Sequence, residues 1–243
     1  MSAPPRTRPR SNASDRLALL RDNALFAELD QAAVERLASY MTRRRVRRGT
    51  TIFNKGDPGN GLMGVLSGMV KISVMSADGR EAVLNIIQQG EVFGEIALLD
   101  GRPRTADATA MSDCEIMAIE RRDFVPFLRS QPDIALRLIE ILCARLRRTS
   151  EQVEDVMLLD LPSRLAKALL QLADKAAMPG SRQKVAITQR EISQIIGISR
   201  ESTNKQLRAW ARRKWIRLER GGVAVLDPGA LAQIAAKGLQ DVS

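Results

Sequence analysis

Residues 93–106 have the sequence FGEIALLDGRPRTA. A glycine and an acidic residue, Gly94-Glu95, precede a short apolar run, which is followed by a second glycine and a basic segment. Gly94 permits close approach of the backbone to another group. Arg104 can direct two N–H donors onto the oxygens of a phosphate, and Thr105 adds a hydroxyl group beside it.

Short β-prone segments surround this stretch between residues 45 and 119. The segments are Thr51–Phe53, Met69–Met75, Ala82–Ile87 and Cys114–Ile119, and the turn signals between them are Lys55-Gly56-Asp57, Asp78-Gly79, Gln89-Gly90 and Asp100-Gly101. Many short strands joined by glycine-containing turns predict a small antiparallel sandwich or barrel.

The segment from Gln131 to Met157 has the clearest helical pattern. Its seam residues are spaced alternately three and four apart, at Leu136, Ile139, Cys143, Leu146, Ser150, Val153 and Met157. A 3.5-residue repeat over three heptads is typical of a two-stranded coiled coil and favours pairing with a second copy of the chain. The alternative is a helix packed inside the core of one subunit. The polar Ser150 would either set the register of the pair or contact a ligand between two subunits.

A boundary is predicted near residues 160–162. Pro162 cannot continue the hydrogen-bond ladder of the preceding helix, but it is tolerated in the first turn of a new one. Asp160 is a suitable N-cap for a helix over residues 163–176. We therefore expect the long helix to end here, with a hinge before the next domain.

The remaining residues have the pattern of a winged helix-turn-helix. Thr188 and Glu191 form a capping box ahead of a helix at Gln189–Ile196, and Ser199 caps a second helix at Arg200–Arg212. Gly197 allows the turn between the two helices. Two β-prone segments flank Gly221-Gly222 and predict a hairpin, which would be the wing.

The charge is concentrated in this last third of the chain. Residues 162–243 contain 15 Lys and Arg against 6 Asp and Glu, whereas residues 1–161 contain 23 against 22. So uneven a distribution favours a polyanion-binding domain over a merely solvated basic surface. Because the whole chain has only eight Phe, Trp and Tyr residues, stacking on single-stranded bases is disfavoured, and duplex DNA is the expected partner.

Composition excludes several classes of protein. The chain has no histidine and only two cysteines, which rules out Ser–His and Cys–His catalytic pairs, haem on a proximal histidine and a four-thiolate iron–sulfur cluster, and leaves zinc almost without ligands. No run of about 18 apolar residues is present, and the Pro/Arg-rich start lacks the apolar core of a secretory signal. We therefore expect a cytoplasmic, non-membrane protein with no metal.

Residues 93–106 match the phosphate-binding cassette of cyclic-nucleotide-binding domains: Gly-Glu-x-small-apolar, a short spacer, then Arg-Ser/Thr-Ala. With the long helix and the winged helix-turn-helix in the same order, residues 20–230 resemble the cyclic-AMP receptor protein and fumarate–nitrate regulator (CRP/FNR) family of bacterial transcription regulators. The resemblance implies an α+β fold. Gly64 departs from the family's pattern, because it interrupts a strand that is normally all apolar. The expected domains are a disordered basic arm (1–19), a cyclic-nucleotide-binding β-roll (20–130), a dimerisation helix (131–159) and a winged helix-turn-helix (160–243).

The resemblance also implies the residues of a nucleotide site. Arg104 and Thr105 would bind the cyclic phosphate, Glu95 would accept a hydrogen bond from the ribose 2′-OH, and backbone groups near the start of the Ile96–Leu99 turn would complete the cradle. Thr149 would contact the base in its own subunit, and Ser150 would reach the base bound by the other subunit. The expected ligand-binding residues are Gly94, Glu95, Ile96, Ala97, Arg104, Thr105, Arg145, Thr149 and Ser150. An exposed loop salt bridge between Glu95 and Arg104 is the alternative.

The same family places base-reading residues at the start of the second helix of the helix-turn-helix. Ser199-Arg200-Glu201-Ser202 is similar to the family's Ser-Arg-Glu-Thr. Arg200 can bind guanine O6 and N7, and Glu201 can accept from cytosine N4, although it could also merely complement the helix N-terminus. Lys205 takes the place of a third base-reading arginine. The expected DNA-binding residues are Thr188, Ser199, Arg200, Glu201, Ser202 and Lys205. Of these, Thr188, Ser199 and Ser202 are expected to contact phosphates.

The function expected from these features is a non-enzymatic, homodimeric transcription regulator that binds a palindromic operator in response to a cyclic nucleotide. The alternatives are a family member that binds DNA without an effector and a cyclic-nucleotide-gated enzyme. Thr149-Ser150 resembles an adenine-contacting pair and favours cAMP, whereas Arg104-Thr105-Ala106 resembles sequences associated with cGMP. The resemblance also implies RNA polymerase as a partner.

Overall fold

The computed structural model describes residues 20, 21, 23, 25–176, 184, 185 and 187–240. The chain divides into two compact units. The first contains the described residues up to Ile72 together with Ile86–Leu142, and the second contains Ser73–Asn85 together with the described residues from Cys143 onwards. The expected basic arm at 1–19 lies outside the described residues.

The elements follow one another as expected for a β-rich region, a long helix and a helix-turn-helix. They are α1 (Gln31–Tyr40), β1 (Thr42–Val46), β2 (Thr51–Phe53), β3 (Gly61–Ser67), β4 (Val70–Met75), β5 (Glu81–Ile87), β6 (Val92–Phe93), α2 (Glu95–Asp100), β7 (Asp107–Ala110), β8 (Cys114–Glu120), α3 (Arg121–Arg129), α4 (Pro132–Leu158), α5 (Leu161–Ala176), β9 (Lys184–Val185), α6 (Gln189–Ile196), α7 (Arg200–Arg212), β10 (Ile216–Glu219), β11 (Gly222–Val225) and α8 (Pro228–Gln240).

Two four-stranded sheets form the β-rich region, with strand orders β1-β8-β3-β6 and β2-β7-β4-β5. One apolar cluster draws residues from both sheets, including Val65, Phe93, Ala108 and Ile116, so the expected sandwich is present. A second cluster packs α1, α3 and the start of α4 against the first sheet, with Phe124 at its centre. Together these clusters fix the positions of the short helix α2 and the loops beside it.

Strand β1 was missed because its sequence, TRRRV, lacks an apolar alternation. It pairs antiparallel with β8, where Arg45 lies opposite Glu115. Arg45 Nε donates to Glu115 Oε1 at 2.9 Å, and Arg43 bonds the same carboxylate. The hydrogen bond from Arg43 holds the pKa of Glu115 below its usual value. The cross-strand carboxylate thus compensates for a run of like charges that would otherwise repel one another.

Two glycines of the first unit are required by close packing. A Cβ on Gly59 would lie 2.3 Å from Ala97 Cβ and 2.9 Å from the Ala97 carbonyl atoms, so this glycine lets its loop pack directly on α2. Gly64 lies opposite Met117 in the β3–β8 pair, and the Met117 side chain fills the space of its missing Cβ. This packing explains why a glycine interrupts the apolar strand.

The long helix extends from Pro132 to Leu158, close to the predicted span. The start of α5 also matches expectation, because Asp160 Oδ1 accepts a hydrogen bond from the Ser163 amide at 2.9 Å. Within the part of the chain that the structure describes, no helix is long and apolar enough to cross a membrane.

The helix-turn-helix of the second unit forms at the predicted residues. Thr188 and Glu191 make both bonds of the capping box, and Gly197 ends α6 with a φ of 68°. The two helices share a core through Ile192, Ile196 and Leu207, all nearly free of solvent contact. The β10–β11 hairpin forms the wing, and it gains a third strand, β9, that the sequence did not indicate.

We predict that Gly59→Ala lowers the free energy of unfolding of the first unit by about 1–3 kcal/mol, because the new methyl group meets backbone atoms that cannot move aside. Gly64→Ala is the matched control, since its Cβ would meet the flexible end of the Met117 side chain at 2.3 Å. Urea denaturation of both variants measures the difference. Equal stabilities for Gly59→Ala and the unsubstituted protein would contradict the packing described here.

Candidate functional site

Arg104 lies at the centre of the first candidate site, and its guanidinium is almost fully removed from solvent, with 5% of the residue exposed. Nη1 donates to the Gly94 carbonyl at 2.7 Å, and Nη2 donates to the Gly61 carbonyl at 2.9 Å. The guanidinium also lies 4.3 Å from the centre of the Phe53 ring, which provides a cation–π contact. Arg104 thereby ties together three separate segments of the chain.

Gly94 is the residue that makes this approach possible. Its φ of 83° is unfavourable for other residues, and a Cβ on it would lie 2.5 Å from Arg104 Nη1. The backbone of Arg104 is fixed as well, because its amide donates to the Asp57 carbonyl and its carbonyl accepts from the Gly56 amide, both at 2.8 Å. The side chain is therefore held rigidly in place.

A guanidinium stays charged even when it is buried, and two carboxylates lie near this one. Burial lowers the pKa of Arg104 from its ordinary value, while the nearby carboxylates of Glu95 and Asp57 raise it. A guanidinium has five N–H donors, and the two carbonyl bonds leave three of them. One of these, the buried Nε–H, has no hydrogen-bond partner. The arrangement suits recognition of an anion by more than one donor.

The alternative of an exposed loop salt bridge is wrong. Glu95 and Arg104 are 2% and 5% exposed, and both Arg104 hydrogen bonds listed above go to backbone carbonyls. Because the guanidinium also fills space against Phe53, removal of this side chain opens a buried gap. Arg104 is thus part of the packing of the first unit as well as a candidate ligand-binding residue.

The remaining cassette residues surround this arginine on and beside α2. Glu95 begins the helix and is buried with Ala97, whereas Ile96 points its side chain outward and is 45% exposed. Thr105 is exposed directly after Arg104. The structure places Gly94 and Glu95 next to the Arg104 guanidinium. Ile96, Ala97 and Thr105 directly follow these residues in the sequence, and their role in a ligand site stays a prediction.

Three residues that help build the site were not foreseen. Phe53 and Gly61 contact the guanidinium, as described above. Arg121 starts α3 and donates from Nε to the Leu98 carbonyl at 2.5 Å, which satisfies a carbonyl in the last turn of α2. The sequence shows an aromatic residue and several glycines between residues 53 and 61. No sequence pattern predicts that they contact Arg104.

The predicted base-contacting residues lie on α4, in the second unit. Thr149 Oγ1 donates to the Arg145 carbonyl and Ser150 Oγ to the Leu146 carbonyl, each at 3.0 Å. Both residues are exposed, and their hydroxyl oxygens keep the capacity to accept hydrogen bonds. Their neighbours Arg148 and Gln152 bond to the β4–β5 hairpin.

The apolar seam of α4 is exposed within the single chain. Leu136, Ile139, Leu146, Val153 and Met157 are between 53% and 76% exposed, and Cys143 is exposed as well. The interpretation of this seam as a helix face packed inside one subunit is therefore wrong. So long an apolar stripe on the surface favours an intersubunit contact.

The second candidate site is an open groove of about 530 Å³ along α7, lined by Glu201, Asn204, Lys205, Arg208 and Arg212. Lys205 follows Glu201 by four residues, and Arg208 and Arg212 follow it at steps of three and four, so these residues share one helix face with Asn204 beside them. The sequence identified Glu201 and Lys205, but Asn204 and Arg208 were missed, although helical spacing would have found them. Three cations against one carboxylate suit a phosphate-rich partner.

Two of the three predicted phosphate-contacting residues, Thr188 and Ser199, are the N-caps of α6 and α7. Ser199 Oγ accepts from the Ser202 amide at 3.2 Å and donates to Ser202 Oγ at 2.9 Å. Thr188 Oγ1 bonds Glu191 within the capping box. These caps hold Arg200 in the first turn of α7. Among the described residues, no group of three or more Asp, Glu, Cys or His side chains is arranged to hold a metal ion.

Comparisons with known proteins match the two regions of the chain that contain the candidate sites. A family model described as a cyclic nucleotide-binding domain matches residues 43–131, and a Crp-like helix-turn-helix domain matches residues 163–234. A CRP-like cAMP-activated global transcriptional regulator of Mycobacterium tuberculosis is 36% identical over 214 residues, which cover 87% of this chain and 96% of that protein. The chain belongs to the CRP/FNR family of transcription regulators.

Two further relatives support the same assignment. The Cyclic AMP receptor protein of Thermus thermophilus is 33% identical over 89% of this chain and 98% of that protein. A solved structure of the c-di-GMP-responsive global regulator CLP of Xanthomonas campestris is similar with a TM-score of 0.70 and 25% identity, over 81% of this chain and 99% of that chain. The CRP/FNR family consists of DNA-binding regulators and not of enzymes, and the α+β fold described above is the fold of this family.

Proposed function

We propose that this chain is a homodimeric transcription regulator whose binding to a palindromic DNA operator responds to a 3′,5′-cyclic nucleotide, with cAMP favoured over cGMP. The observation that carries the proposal is the buried, rigidly held Arg104 guanidinium with its unpartnered Nε–H beside α2. A side chain that is costly to bury and still charged is well suited to a ligand of opposite charge.

The choice of cAMP rests on two supports. Thr149 and Ser150 resemble an adenine-contacting pair, and relatives covering most of this chain are named for cAMP. Against it, Thr105 resembles cGMP-associated sites, and one similar structure belongs to a c-di-GMP-responsive protein. Calorimetric titration of the full chain with cAMP, cGMP and c-di-GMP separates the three. Binding of none of them, with intact DNA binding, would favour a regulator that needs no nucleotide.

The dimer is supported by the exposed apolar seam of α4, and the reading helix by the groove on α7. In a symmetric pair, two α7 helices would enter successive major grooves, with half-sites about one helical turn apart. Arg200 and Glu201 would read bases, and Thr188, Ser199 and Ser202 would position the protein on phosphates. Lys205 is a point charge without the planar fork of arginine, so we expect weaker base discrimination there.

We predict that Thr105→Val weakens cAMP binding by about 10- to 150-fold, the effect of losing one hydrogen bond to a charged group, without lowering the melting temperature. Thr105 is exposed, so its loss leaves the packing intact. Arg104→Ala should abolish binding and also destabilise the first unit. Arg102→Ala, at an exposed arginine two residues away, is the control and should bind normally. Unchanged cAMP affinity in Thr105→Val would show that the Thr105 hydroxyl does not bind the nucleotide.

We predict that mild oxidation of the purified protein forms a disulfide between the Cys143 residues of two chains, because the pairing of two copies along α4 places these seam residues opposite each other. Cys143 is exposed, whereas Cys114 is buried, so Cys143→Ser should prevent the cross-link. Non-reducing electrophoresis measures the product. A monomeric mass in solution by light scattering would contradict the proposed dimer.

We predict that Glu201→Ala relaxes the preference at one base pair of each half-site by about 1–3 kcal/mol, because a carboxylate that accepts from a cytosine amino group is lost. Arg212→Ala, at a cation lining the same groove, should lower affinity evenly across sequences. Selection of binding sites from a random DNA pool measures both. An unchanged consensus for Glu201→Ala would show that another residue reads this position.

A further inference from the structure

The β4–β5 hairpin contacts the helix-turn-helix, although its strands belong to the β-rich sheet. Its tip is held tightly: the Ser76 amide donates to the Arg80 carbonyl at 2.8 Å, and Arg80 Nε donates to Asp78 at 2.7 Å. Residues 73–85 of this hairpin form part of the second unit, with the distal half of α4 and the helix-turn-helix. The hairpin therefore packs in one compact unit with the helix-turn-helix.

The first set of contacts joins the hairpin to α4. Arg148 Nη1 donates to Asn85 Oδ1 at 2.9 Å, and Gln152 Nε2 donates to the Leu84 carbonyl at 3.3 Å. Arg148 and Gln152 are one turn apart, and they bracket Thr149 and Ser150 in the sequence. The hairpin is therefore hydrogen-bonded to the same turn of α4 that contains the proposed base-contacting residues.

The second contact joins the hairpin to α6, the first helix of the helix-turn-helix. Gln194 Nε2 donates to Glu81 Oε2 at 2.7 Å, and both side chains are half-buried. A hydrogen bond to a carboxylate in such a setting is stronger than one between neutral groups. Because α6 and α7 share the core of Ile192, Ile196 and Leu207, displacing α6 also displaces the reading helix.

We propose that the Glu81–Gln194 hydrogen bond transmits the effect of nucleotide binding from α4 to the reading helix. This inference rests on the proposed function, because it names how the nucleotide site and the DNA site communicate. A base bound at Thr149 and Ser150 displaces the turn of α4 that is hydrogen-bonded to the hairpin. Displacement of the stiff hairpin in turn displaces α6. The route is additional to the covalent hinge at 159–162, since it joins segments 113 residues apart in the sequence.

The test compares three variants in the full chain. Gln194→Glu sets two carboxylates against each other and breaks the bond. Glu81→Gln combined with Gln194→Glu restores a donor–acceptor pair with donor and acceptor exchanged. Asp78→Asn is the control, at a hairpin carboxylate whose hydrogen bonds go to Ser76 and Arg80. For each protein, the dissociation constant for a selected operator is measured without and with saturating cAMP, and the ratio of the two is the coupling.

We expect Gln194→Glu to lower the coupling ratio by about fivefold or more, within the range of typical allosteric couplings. The double variant should return the ratio to within about twofold of the unsubstituted protein, and Asp78→Asn should leave it unchanged. Rescue by the double variant is decisive, because it keeps the added charge at position 194 and restores the donor–acceptor pair.

An unchanged ratio in Gln194→Glu would overturn the inference. So would a double variant that behaves like Gln194→Glu alone, since the effect would then come from charge on the helix-turn-helix. Direct titration with cAMP, cGMP and c-di-GMP keeps the two proposals distinguishable. If the unsubstituted protein binds none of these nucleotides, the proposed function fails and the inference fails with it; if a nucleotide and DNA are coupled normally in every variant, only the inference fails.

Discussion

A guanidinium that is almost removed from water must find acceptors for its N–H groups, because each unsatisfied donor of a buried charge carries a large desolvation cost. Arg104 finds two of them in the carbonyls of Gly94 and Gly61, and it lies against the Phe53 ring. These partners come from three separate segments: Phe53 ends β2, Gly61 begins β3 and Gly94 directly precedes α2. The end of β2, the start of β3 and the turn before α2 are thus held around one charge.

The packing around α2 follows from this constraint. Gly94 must be a glycine because a side chain would occupy the space of the guanidinium, and Gly59 must be one because its loop lies directly on Ala97. Arg121 satisfies a carbonyl at the other end of the short helix. A helix of six residues has little stability of its own, so these tertiary contacts determine that it forms at all.

The distribution of charge separates the two activities of a regulator within one chain. The first 161 residues are nearly neutral, with 23 Lys and Arg against 22 Asp and Glu. The excess of cations lies in the last third, where the groove on α7 presents Lys205, Arg208 and Arg212 on one face. A mostly neutral ligand-binding region is less prone to compete for the DNA that the basic domain binds.

The sequence by itself determined the elements whose signals are local. The capping box at Thr188, the cap at Ser199 and the glycine at 197 fixed both helices of the helix-turn-helix to the residue, because these interactions lie within a few positions of one another. The 3.5-residue repeat likewise determined the long helix and its unpartnered seam. The cassette was recognised as a pattern of residue types.

Only the tertiary structure decided the features that depend on partners distant in sequence. Strand β1 forms despite its three arginines because Glu115 lies opposite it on β8. The third strand of the wing, β9, has only two residues, which are too few to show a strand pattern in the sequence. The burial of Arg104 and the link from Glu81 to Gln194 join segments that no local pattern associates. The physical reason is that burial and cross-strand pairing are set by how the chain folds back on itself, whereas caps and helical periodicity are set within a few residues.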